Sequence, residues 1–247
     1  MKIITSVVGL CGLMSVASAS VMADGNVVIY APGGGHSQVV SQVKDLRQLV
    51  NDPAFGQYQP NMVIATPAAT QLAKQKFQQT LSRLRGWASH EEGERAAAIN
   101  QVINQLKDIK VTGRQFTSLD PALVNNNSKA NRTLSGNYSL YQASESDSVT
   151  LLGPVSGAGK LVWQAGRQVS EYLDGHHFLS GAERSQVTVI DADGSVRSAP
   201  VAYWNRRHVE PQPGSIILVE FAARALPDGD EDLNREIISI LTHRMPN

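Results

Sequence analysis

In SVTLLGPVSGAGKLVWQAGRQVSEYL, residues 148–173, an apolar strand runs into a turn rich in Pro and Gly, a second short apolar strand follows, and an amphipathic stretch closes the unit. The same order occurs near the start of the chain, in NVVIYAPGGGHSQVVSQVKDLRQLV, residues 26–50. Pro32 aligns with Pro154 and Val40 with Val162; after one inserted residue, Leu46 aligns with Val169 and Val50 with Leu173. The repeated unit is a β-hairpin followed by a helix. Gly33 to Gly35 in the first turn, and Gly157 with Gly159 in the second, are expected to supply the positive φ angles that reverse the chain without a steric penalty. A phosphate-binding loop is the competing reading of GPVSGAGK. It fails because Pro154 stands where the first Gly belongs, Leu161 follows Lys160 in place of Ser or Thr, and LVW after the lysine favours a strand over a helix.

The segments after each unit correspond as well. IKVTGRQFTSLDPALV and LSGNYSLY follow the first; SQVTVIDADGSVRSAPVAYW and PQPGSIILVEF follow the second, with a tight turn at Asp193-Gly194. Hairpin, helix and further strands is the order in which a mixed sheet curls round one helix. The sequence therefore predicts an α+β protein of two tandem β-grasp domains, residues 24–145 and 146–224.

An insert over about residues 65–107 interrupts the first copy. Thr66-Pro67 reads as an N-cap with Pro in the first turn, and Leu72, Phe77, Leu81 and Leu84 recur at helical spacing. Gly86 is expected to break this helix, Ser89 and Glu92 to form a capping box, and Ile99, Val102, Ile103 and Leu106 to line a second helix. NNNSKANRT, residues 125–133, reads as a polar loop whose Asn131 sequon matters only in a host that glycosylates. Residues 225–247 read as an amphipathic terminal helix of about 17 residues, roughly 26 Å long. Acids from Asp228 to Asp232 would open it, His243 and Arg244 would close it, and Leu233, Ile237, Ile240 or Leu241, and Met245 would share a face. Such a helix either lies against a membrane or partner or packs on its own domain, and its central Asn234, Arg235 and Glu236 favour self-packing.

Composition sets the compartment. Lys2, an apolar run from Ile3 to about Val16, and small residues through ASASVMADG have the layout of a secretory signal peptide, residues 1–23, with cleavage after Ala19 or Ala23. The run is shorter than the roughly 20 residues a membrane-spanning helix needs. Cys11, the one cysteine, lies inside this segment behind Leu10, a poor context for lipidation, so the mature chain would have no thiol or disulfide. The remaining 224 residues carry 21 basic and 22 acidic side chains, a balance that argues against a nucleic-acid partner. The mature chain has no membrane-spanning stretch, and its expected location is the periplasm.

The run VTLLGPVSGAGKLVWQAGRQVSEYL, with the SQVTVIDADGSVRSAPVAYWNRRHVEPQPGSIILVEF that comes after it, resembles the soluble-ligand-binding β-grasp domain of outer-membrane polysaccharide export proteins. More narrowly, VTGRQ, LDPALV, APVAYWNRRHVEPQPGSII and ILTHRMP, in that order, are similar to the capsule-biosynthesis GfcC/YjbG family, over essentially the whole mature chain. The resemblance implies a periplasmic accessory protein of capsule or exopolysaccharide production, with two β-grasp domains, a helical insertion and a C-terminal amphipathic helix. It brings no catalytic activity with it, and nothing in this chain reads as the N-terminal export domain of the channel proteins.

Candidate binding residues fall in two places. Arg114, beside Gly113 in VTGRQ, offers a planar fork suited to the carboxylates or phosphates of acidic capsular sugars, or else pairs with Asp120 to pin the insert. YWNRRHVEP, residues 203–211, gathers Trp204, Arg206, Arg207, His208 and Glu210, a mixture that suits a sugar site. Equally, Trp204 could fill core and Arg206 or Arg207 bridge to Glu210. If extended, this run puts Trp204, Arg206 and His208 on one side. Trp163 reads as a core or interface residue, Arg167 as a cap or bridge at a helix entry, and the adjacent His176-His177 lack metal-site spacing. No catalytic motif, metal site or cofactor is expected. The expectation is a monomer whose cleft between the two domains uses Arg114, with Arg206, Arg207 or His208, to bind acidic polysaccharide or else an outer-membrane export component. A pure protein adaptor and a polysaccharide-modifying enzyme are the alternatives.

Overall fold

A computed structural model describes residues 24–246; the predicted signal segment and Cys11 lie outside the described residues. The first sheet contains β1 (Gly25–Tyr30), β2 (Ser37–Val43), β3 (Val63–Ala65) and β4 (Asn137–Tyr141), in the order β2-β1-β4-β3. The second contains β5 (Ser148–Leu152), β6 (Gly159–Val162), β7 (Gln186–Ile190), β8 (Val196–Pro200) and β9 (Ile216–Leu218), in the order β6-β5-β9-β7-β8. In each, the first hairpin strand also pairs in parallel with the last strand, which pairs antiparallel with the third. The recurrence read from the sequence is therefore a recurrence of topology. Where β8 follows β7 in the second copy, the helices α2 (Pro67–Ser89), α3 (Gly93–Leu106) and α4 (Pro121–Asn126) follow β3 in the first.

Each hairpin is followed by one short helix, α1 (Leu46–Val50) or α5 (Val169–Tyr172). The aligned residues Leu46 and Val50, and Val169 and Leu173, are all buried. Alternation along the strands explains how the second sheet is covered on both faces. Val149 and Leu151 of β5, Val187 and Val189 of β7, and Ile217 of β9 pack with α5; Leu152, Ile190, Ile216 and Leu218 point the other way. That other face is covered by α2, α3 and α6 (Leu233–Thr242), whose Leu233, Ile237, Ile240 and Leu241 join one cluster with Phe77, Leu84, Ile99 and Val102. The helical hairpin thus packs against the second sheet although its residues lie within the first copy. Burial of each such Leu or Ile contributes roughly 1.5–3 kcal/mol. The apolar stripe of α6 is consumed inside its own chain and is not offered to a partner.

Several local expectations are corrected. Gly33, Gly157, Gly159 and Gly194 do adopt positive φ, but Gly35 is right-handed at −74°. Helix α2 passes through Gly86 to Ser89, because Trp87 immediately beyond it is buried edge-to-face on Phe221 at 4.7 Å. The Ser89–Glu92 box does not form: Ser89 donates to the Gly86 carbonyl, and Glu92 caps α3 without a side-chain bond. Leu72 is exposed, and Thr80 and Trp87 complete the buried face instead. Asn125 and Asn126 end α4 and are not loop. The terminal helix spans 10 residues, ending before Met245. Two of its leading acids, Asp230 and Asp232, serve tertiary structure: with Glu236 inside the helix they pair with Arg83 on α2.

Gly86 is exposed in a helix interior with nothing within 4 Å of the position a Cβ would take. Gly86→Ala is therefore expected to raise stability by about 0.5–1 kcal/mol, read as a higher urea midpoint at constant slope.

Candidate functional site: a cleft between the two sheets

The parallel register of β1 and β4 sets Tyr30 beside Tyr141, and their rings stack at 5.1 Å with 13° between planes. These rings form one side of a cleft of about 870 Å³ that continues along residues 144–148, Lys160 and the edge of the second sheet. Its far wall is built from the strand-like run after α3. There Thr112 N–H donates to the His243 carbonyl, Met245 N–H donates to the Lys110 carbonyl, and Val111 bridges Arg244. Gly113 lies on the first turn of α2 so closely that a Cβ would sit 2.2 Å from the Thr70 nitrogen. The next residue, Arg114, is thereby turned into the cleft.

Two guanidinium groups define the wall. Arg114, 6% exposed, donates through Nη1 and Nη2 to the Ala192 carbonyl at 3.2 and 3.1 Å, while its Nε has no hydrogen-bond partner. Arg244 donates through Nη2 to the carbonyls of Asp191 and Gly214 at 3.1 and 3.0 Å, and through Nη1 to that of Leu241. Among the described residues neither forms a salt bridge with a carboxylate. Burial pushes the pKa of each down to about 10, against an upward pull from Asp193; for Arg244 the neighbouring charge of Arg114 pushes further down. Both remain cationic at neutral pH, and an anion between them would relieve their repulsion. Lys110 and Lys160 share the lining with Asp108, Glu145 and Asp147, so the wall carries charges of both signs.

Two of the accepting carbonyls, those of Asp191 and Ala192, belong to the turn between β7 and β8, which the Asp191 side chain ties down. Asp191, 2% exposed, accepts from Arg197 Nε at 2.8 Å and Nη2 at 3.0 Å, from Ser215 Oγ at 2.8 Å and from Ser195 Oγ at 3.3 Å. The Arg114–Asp120 pairing is not formed. Asp120 caps α4 through Ala122 N–H.

Trp204, Arg206, Arg207, His208 and Glu210 do not line this cleft. They sit on an exposed loop. Trp204 is 78% exposed and fills no core; Glu210 pairs with His208 at 2.7 Å and not with an arginine. A turn around residues 202–205 replaces the extended alternation. Trp163 is half-buried against the second sheet's core and donates to the Pro211 carbonyl; Arg167 lies 4.3 Å over the Tyr172 ring. His176 and His177 bond to Ser156, and among the described residues no group of His, Cys, Asp or Glu is arranged to hold a metal. Sequence reasoning missed Tyr30, Tyr141 and Arg244. The first two end paired strands of a recognised repeat, and Arg244 lies in the ILTHRMP string, so the signals were present.

Fold and cleft define an α+β protein of two related sheets with a groove between them that holds two guanidinium groups. The chain belongs to the capsule biosynthesis GfcC family: residues 23–145 match the model described as capsule biosynthesis GfcC, N-terminal, and residues 157–246 that described as capsule biosynthesis GfcC C-terminal. It is similar to YjbG of Escherichia coli K12, named as an uncharacterized protein, with 39% identity over 235 residues, covering 95% of this chain and 96% of YjbG. No helix among the described residues is long and apolar enough to cross a membrane.

Proposed function

We propose that this chain is a periplasmic accessory protein of capsule or exopolysaccharide assembly, and that it acts by holding an acidic glycan segment in the cleft between its sheets, without catalysis. The observation that carries this reading is the pair Arg114 and Arg244, buried and half-buried and without carboxylate salt bridges among the described residues, lining one cleft with the stacked Tyr30 and Tyr141. Guanidinia suit the carboxylates of acidic sugars, and aromatic faces suit their C–H surfaces. A volume of about 870 Å³ lies in the range of ligand clefts. The strand orders support two tandem β-grasp units over residues 24–145 and 146–224, and the layout of residues 1–23 supports export.

Titration calorimetry with acidic capsule oligosaccharides and neutral ones of equal length tests this. Heat is expected from the acidic set alone, declining as salt rises. Tyr141→Ala should weaken binding up to about tenfold, from an aromatic contact of 0.5–1.5 kcal/mol. An absence of heat from the acidic set with the unmutated chain would overturn the reading.

A further inference from the structure

The loop after β8 carries two neighbouring aromatic side chains in water: Tyr203 is 94% and Trp204 78% exposed. Exposed aromatics on a loose loop would carry little meaning, but the base of this loop is fastened. Asn205 donates to the Ser185 carbonyl at 3.0 Å, Arg207 N–H to the Pro200 carbonyl, and Val209 packs on the second sheet's core while its carbonyl receives Val169 N–H. Arg206 and Arg207 are exposed and form no salt bridge among the described residues; Glu210, the nearest acid in sequence, is taken by His208. The tip therefore presents two aromatic rings and two free cations on a supported projection.

None of these residues lines the cleft between the sheets or the smaller pocket beside α3. A single sugar resting on such a convex tip would be covered on one side only, whereas ligand sites bury most of their ligand. A planar surface can meet the whole tip at once. Tyr and Trp are the residues that settle at the headgroup level of a bilayer, and Arg beside them is drawn to anionic lipid.

We propose that the Tyr203–Arg207 loop is a peripheral membrane contact, with Tyr203 and Trp204 seated among the headgroups and Arg206 and Arg207 against anionic phospholipid. This contact is separate from the glycan cleft and does not depend on it. The test is sedimentation of the chain from Asp24 onward with vesicles of phosphatidylethanolamine and phosphatidylglycerol, and with phosphatidylcholine alone. Binding is expected to the first and to weaken with salt. Trp87 is buried and Trp163 half-buried, so a blue shift of emission on binding reports Trp204. The double substitution Arg206→Gln with Arg207→Gln should weaken partitioning on the order of thirtyfold, and Tyr203→Ser with Trp204→Ser should abolish the blue shift. All four sites are exposed, so the fold is retained, and Tyr141→Ala should bind vesicles normally. The proposal is overturned if the unmutated chain ignores anionic vesicles, if the arginine variant binds as well as the parent, or if acidic oligosaccharide shifts Trp204 emission and vesicles do not.

Discussion

Replacing Asp191 by Ala is expected to destabilise the protein by about 1–3 kcal/mol, the cost of leaving a buried hydrogen-bond partner unsatisfied, since Arg197, 41% exposed, turns to water once its carboxylate is gone. The carboxylate is almost wholly enclosed, and its removal leaves the buried Ser215 hydroxyl without its acceptor. Urea unfolding should show the loss as a lower midpoint at unchanged slope. The sign of the acid dependence follows from the same contacts. Burial alone would raise the Asp191 pKa, but bonds from Arg197 and Ser215, with the charge of Arg197 and the bond from Ser195, outweigh it and hold the value below 3.8. A depressed pKa gives stability that is complete above the unfolded value and disappears as pH falls through the folded one. The native chain should therefore lose this contribution only below pH 3.8, and Asp191→Asn should remove that part of the acid limb while costing less at neutral pH than Asp191→Ala. An acid limb identical in the Asn variant would refute the assignment.

The second large effect is expected at Gly113. Its φ is ordinary, so the restriction is one of space: an Ala Cβ would lie 2.2 Å from the Thr70 nitrogen and 2.3 Å from the Ala69 carbonyl carbon. Those are backbone atoms of the first turn of α2, which the Thr66 cap and the Gly113 N–H bond to Thr70 Oγ1 hold in place. Separating the two segments should cost about 3 kcal/mol, at the upper end of overpacking losses. It should also draw Arg114 away from Ala192 and weaken acidic-glycan binding in whatever fraction stays folded. Ala at Gly86 is the internal control, since the same methyl there is expected to stabilise. If Gly113→Ala unfolds at the parent's midpoint, the close approach is wrong.

Much of the architecture was legible because turns and apolar alternation are local signals. The pairing of Leu46 with Val169 and of Val50 with Leu173 needed only comparison of the chain with itself, and all four are core. The stripe of Phe77, Leu81 and Leu84 showed that α2 is buried, but a helical period does not say against what. That it covers Leu152 and Ile216 of the other copy is a fact of tertiary packing. Gly86 misled because a helix-breaking preference of about 1 kcal/mol is smaller than the burial of Trp87 one residue on. Aromatic identity placed Trp204 in a site or a core with equal ease, since exposure is not written in residue type. Arg244 was hidden for another reason: a cation near a helix end already has an explanation, and only the partners of its guanidinium reveal the cleft.

The covering of the second sheet by α2 and α3 from the first copy, and by α6 beyond the second, bears on how such chains can diverge. Recombination that swapped one copy between relatives would seat foreign helices on an unmatched sheet, against Leu152, Ile190, Ile216 and Leu218. Chimaeras joined between residues 145 and 146 should fail unless these contacts are exchanged together. Though duplicated in pattern, the two copies are bound to be inherited as a single unit.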